Sequence, residues 1–72
     1  MDMNTLHLLD AVVLITDSLP DKLRKGSLGT IVEVFPNDEY LVEFADTNGI
    51  PYAMPVVNVS QLMKVYQEPV TA

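Results

Sequence analysis

The apolar residues of this chain come in short β-branched runs, each closed by Pro, Gly, Asn or Asp, and no run keeps helical spacing long enough for a standard helix. That pattern confines the fold to small antiparallel β architectures. Ala11-Val-Val-Leu-Ile-Thr16 is the first run. It ends in the turn-prone segment Asp17 to Asp21 and, being apolar at nearly every position, reads as a strand buried over much of both faces. A longer connection leads through Leu23 to Gly26. Leu28 to Phe35 then resumes strand character, and strict alternation sets Thr30, Val32 and Val34 on the face opposite Glu33. Pro36-Asn37-Asp38-Glu39 has the composition of a tight turn, because Pro presets φ and Asn and Asp tolerate the left-handed region. A hairpin therefore joins this strand to Tyr40–Ala45, where Val42 and Phe44 point inward and Glu43 outward. Asp46-Thr47-Asn48-Gly49 closes a second hairpin, since both residues of an Asn-Gly pair accept positive φ at little cost.

Ile50 to Val57 forms the fourth strand. Pro51 and Pro55 fall on one side of its pleat and each removes a backbone donor, which makes this strand an edge, bulged or interrupted. Asn58 to Gln61 offers capping side chains for a single 3₁₀ turn, and Leu62 to Tyr66 closes the sheet as a fifth strand. Leu6, Leu8 and Leu9 fit a short helical turn or an extended lead-in equally well. The organisation expected is a lead-in over 1–10, one domain over 11–66 and a flexible tail over 67–72. Strands joined in this way describe an all-β chain, a small five-stranded SH3-like barrel with a short 3₁₀ turn before the last strand. An OB-fold is the competing architecture, but it needs a longer helix between its third and fourth strands, for which there is no room.

A chain of 72 residues supports one core. It carries ten Val, nine Leu and three Ile, more apolar surface than so small an interior absorbs, so part of it is expected to stay outside. There is no Cys, hence neither a disulfide nor a thiolate metal site to reinforce the fold. The longest apolar stretch, Ala11 to Ile15, falls far short of the ~20 residues that cross a bilayer. With no signal-peptide pattern at its start, the chain reads as a soluble, cytoplasmic protein. The net charge of −6 repels phosphate backbones and anionic lipid, which disfavours nucleic acid and membrane as partners.

No constellation for catalysis stands out, and the chain is not expected to be an enzyme. Gly26 and Gly29 are too few for a phosphate cradle and precede a strand rather than a helix, so they read as backbone turning at the mouth of strand two. Glu33 and Glu43, which an acid–base pair across the hairpin would require, read as a solvated face. His7 is the only histidine and has no Cys or second His to complete a metal set. Asp46, Asn48 and Gly49 lack the twelve-residue loop and closing Glu of an EF-hand, and the turn accounts for them. Neither a metal, a cofactor nor a small-molecule substrate is expected. The candidates that remain are binding residues. Lys22, Arg24 and Lys25 crowd the long first loop, where they suit an acidic partner patch or simply solvate the loop beside Asp17 and Asp21. Tyr52 and Met54 sit on the irregular fourth strand, where a partner strand could pair unless the prolines are there to block it. Tyr40 and Tyr66, with Met63, supply further amphipathic surface, although Tyr40 is also in phase with the core residue Val42.

The run Lys25-Gly26-Ser-Leu-Gly29-Thr-Ile-Val-Glu-Val, followed by Tyr40-Leu-Val-Glu-Phe and Ser60-Gln-Leu62, is similar to the glycine-punctuated strand pair of SH3-like barrels, KOW-type modules among them. From Leu9 to Val65 the chain resembles a family of short bacterial proteins, frequent in cyanobacteria, catalogued as a domain of unknown function. That resemblance implies the barrel and, through the small neighbouring genes that accompany such proteins, a partner-dependent role. The function expected is a non-catalytic protein-binding module, an antitoxin-like or accessory subunit that acts through a neighbouring-gene partner or self-associates. The alternative is a KOW-like nucleic-acid binder using Lys22, Arg24 and Lys25.

Overall fold

The structure, a computed structural model, describes residues 5–17 and 23–66. Within them the fold is all-β, with no α-helix. Its elements are β1 (Ala11–Leu14), β2 (Leu28–Phe35), β3 (Glu39–Ala45), β4 (Pro51–Ala53), β5 (Val56–Asn58), a 3₁₀ turn over Val59–Gln61, and β6 (Leu62–Lys64). They form one antiparallel sheet in the order β4-β3-β2-β1-β6, with β5 also pairing β3. The expected tail over 67–72 lies outside the described residues.

The fourth strand is interrupted, as its prolines require. Phe44 opposite Ala53 and Leu41 opposite Val56 belong to one register, and between them the Val42 N–H donates to the Pro55 carbonyl at 3.0 Å. β4 and β5 are thus two halves of one edge strand, so the sheet has six segments where five strands were expected. The hydrogen-bonded path is open. It runs from the β4/β5 edge to β6, and no ladder among the described residues joins the two ends.

Strict alternation along β2 does not hold. Ile31 stands opposite Val42, but Glu33 stands opposite Leu41, so Val32 is an extra residue in a β-bulge. The extra residue reverses the phase. Before it, Gly29 and Ile31 face the core while Thr30 lies outward opposite Glu43, contrary to the alternation expected. Beyond it, Val34 stands opposite the buried Tyr40 but is itself exposed. Gly29 also has a different purpose from turning. A Cβ at this position would lie 2.6 Å from Val42 Cγ1 and 3.0 Å from Phe44 Cε1, so its lack of a side chain lets β2 press against the core face of β3. Gly26, at φ +94°, does turn the chain.

Both hairpins fall where the turn residues place them. Asn37 and Asp38 take φ values of 66° and 60° between β2 and β3. In the second turn only Gly49 is left-handed, at φ 78°. Asp46 replaces the second left-handed residue expected there. Its Oδ1 accepts the N–H groups of Asn48 at 2.8 Å and Ile50 at 3.0 Å, while its carbonyl accepts that of Gly49. At the 3₁₀ turn, Asn58 Oδ1 accepts the Ser60 N–H and Gln61 Oε1 accepts the Asn58 N–H, which ties the turn at both ends.

Val12, Leu14, Ile31, Val42, Phe44 and Val57 are fully buried and form the centre of the core. Each such side chain contributes roughly 1.5–3 kcal/mol of transfer free energy. Tyr40 belongs to this core, which settles its role as structural. Two members come from outside the strands, Leu6 from the lead-in and Leu23 from the long loop. Within the lead-in, Leu8 and Leu9 form a turn docked on β2. The Leu9 N–H donates to the Ile31 carbonyl at 2.7 Å and the Ile31 N–H to that of Asp10, and Leu9 is held at φ 71°. Asp10 Oδ2 accepts the His7 N–H at 2.8 Å and receives the Lys64 ammonium at 3.5 Å, tying lead-in to β6.

Candidate functional site

The residues expected to bind a partner do not converge. Lys22 lies outside the described residues. Arg24 and Lys25 are exposed on the turn before β2, where the Lys25 N–H donates to Asp17 Oδ1 at 2.7 Å and the Gly26 N–H to the Leu14 carbonyl. The turn is thereby anchored to the end of β1. Tyr52 and Met54 are exposed on the opposite edge, with β2 and β3 between them and that turn. Tyr52 is the extra residue of a second bulge, because Phe44 pairs Ala53 and Ala45 pairs Pro51.

The remaining polar candidates are also apart. Glu43 stands opposite Thr30 and Glu33 opposite Leu41, so the two carboxylates are not cross-strand partners. His7 is exposed, with Nδ1 3.8 Å from Asp10 Oδ2. Among the described residues no group of three His, Cys, Asp or Glu is placed to hold a metal ion. No helix there is long and apolar enough to cross a membrane. Lys64 extends over the ring of Tyr66, 5.2 Å from its centroid, and its charge is shared between that ring and Asp10.

What strand-by-strand reading missed is the outer face of the sheet. Residues directly opposite one another share a face, so the register assembles Met63, Val13 and Leu28 into one outward row across β6, β1 and β2. A second row joins Ala11, Thr30 and Glu43, with Val65 beside Ala11 through its N–H to the Ala11 carbonyl at 2.8 Å. Between the rows lies a depression of about 250 Å³, open to solvent and bounded by Ala11, Leu28, Thr30, Glu43, Ala45 and Val65. Leu28 keeps 61% of its surface exposed and Met63 56%. The signal in the sequence was the apolar run of β1, whose both-faced character anticipates cover on each side. Among the described residues only one side is covered.

The family model described as domain of unknown function DUF4926 matches residues 8–64, and the chain belongs to that family. No curated protein and no solved structure matches it.

Proposed function

We propose that this DUF4926 member is a non-catalytic module of SH3-like architecture that works by binding another protein, as an antitoxin-like or accessory subunit. The observation that carries the reading is the distribution of apolar surface. Eleven large apolar or aromatic side chains are exposed among the described residues, against ten in the core. Scattered exposed apolar residues are ordinary, but here several share one face of one sheet. The architecture is supported by the antiparallel β2–β3–β4/β5 meander, the return of β6 to pair β1 and the 3₁₀ turn before it. Among the described residues Glu33 and Glu43 are not cross-strand partners and His7 is exposed at the surface, which favours the non-catalytic reading.

Co-expression with the product of the adjacent gene, followed by affinity purification and sedimentation, tests the reading. A stoichiometric complex, or a stable self-assembly, is expected. A strictly monomeric protein that retains nothing contradicts it. The nucleic-acid alternative has the exposed Arg24 and Lys25 in its favour but faces the net charge of −6. Titration of RNA and single-stranded DNA at low salt decides that point, and salt-sensitive binding there would replace the protein partner with a nucleic acid.

A further inference from the structure

We infer that the outer face of β1, β2, β3 and β6 is a docking surface for a basic amphipathic helix of a partner protein, an inference that rests on the protein-binding reading above. Three observations select this occupant. The first is the face itself. Ala11, Leu28, Thr30, Ala45 and Val65 line a depression of about 250 Å³, Val13 and Met63 extend the row of Leu28 beside it, and an apolar sheet face is covered in folded proteins by a helix layer or a second sheet.

The second is charge. Glu43 borders the depression, and Glu39 and Glu33 continue the same face, one alternating with the inward Tyr40 and the other opposite Leu41. None of the three forms an ion pair among the described residues. The register also places no Lys or Arg on this face there. Lys64 stands opposite the buried Val12 and turns to Asp10, while Arg24 and Lys25 lie in the turn before β2. An apolar surface that carries only carboxylates complements an apolar stripe flanked by Lys or Arg, and it repels a second copy of a chain of net charge −6.

The third is the edge. Strand addition is the other common way for a sheet to receive a peptide, but the β4/β5 edge is broken into two three-residue strands with a bulge at Tyr52, and β6 at the other edge is also only three residues long, so neither offers a long row of donors. The face is better built for docking than either edge, and a helix meets the face without needing edge donors.

The test uses the full chain, isotopically labelled, titrated with a synthetic amphipathic peptide of Leu and Lys. Its twins are a Leu–Glu peptide of the same pattern and a Leu–Lys peptide of scrambled order. Saturable binding of the patterned Leu–Lys peptide is expected, with amide shifts centred on Val13, Leu28, Glu43 and Val65. Leu28→Glu and Glu43→Lys should each weaken it about tenfold or more. Val34→Glu, at the far end of β2, should leave it unchanged. Shifts centred on Ile50 and Tyr52, or equal binding of the scrambled or Leu–Glu peptide, would overturn the assignment of face and partner. So would self-association that Leu28→Glu abolishes, which would give the face to a second copy. In those cases a partner retained in co-expression still upholds the broader reading, so the two failures are distinguishable.

Discussion

On the inner face of the sheet Phe44, Ile31 and Val42 are sealed from solvent, whereas on the outer face Leu28 and Met63 keep more than half of their surface exposed. The residue types are alike, and both rows are set by the same ladders. What separates them is cover. The inner face is closed by Leu6, Leu23, Val57 and Leu62, drawn from the lead-in, the long loop and the strands β5 and β6. Among the described residues no further element lies over the outer face. Apolar character on the inside therefore serves folding, and on the outside it is the surface that the proposed association would use.

That contrast is open to breakage by substitution. Phe44→Ala, at the centre of the sealed face, should cost about 3–5 kcal/mol in urea unfolding, the largest effect expected. Gly29→Ala brings a Cβ within 2.6 Å of Val42 Cγ1 and should cost about 1–3 kcal/mol, with shifted Val42 and Phe44 resonances as β2 is pushed off β3. Asp46→Ala removes the acceptor for two turn N–H groups and should cost about 1 kcal/mol, since water replaces part of that bonding. Leu28→Glu should change stability by no more than about 0.5 kcal/mol while it abolishes partner binding. A loss there as large as at Phe44 would make the outer face structural and erase the contrast.

Much of this arrangement is legible before any coordinates. β2 and β3 lie where the β-branched runs place them, the hairpins fall at Pro36–Asp38 and Asp46–Gly49, and the Pro51/Pro55 strand is split at the edge. Local chemistry determines these features, because turn residues and missing donors act on their own neighbours. What was not legible depends on pairing across the sheet. The extra residue at Val32 reverses the phase of β2, and nothing in the run Thr30-Ile-Val-Glu-Val34 marks which of its members the bulge takes. Gly29 looks like a turn residue until Val42 and Phe44 are seen behind it. The burial of Leu6 and Leu23 depends on tertiary contact alone. For the candidate site the residue types were informative and the grouping was not. Tyr52 and Met54 are exposed as expected, yet they do not join Arg24 and Lys25, and the outer face emerges only when β1, β2 and β6 are aligned by register.

The most direct measurement is native mass spectrometry of the wild-type chain and Leu28→Glu, each co-expressed with the adjacent gene product and checked for folding by circular dichroism. The account predicts a heterocomplex for the wild type and a folded, unpartnered monomer for Leu28→Glu. Two identical spectra, whether both monomeric or both complexed, would contradict it.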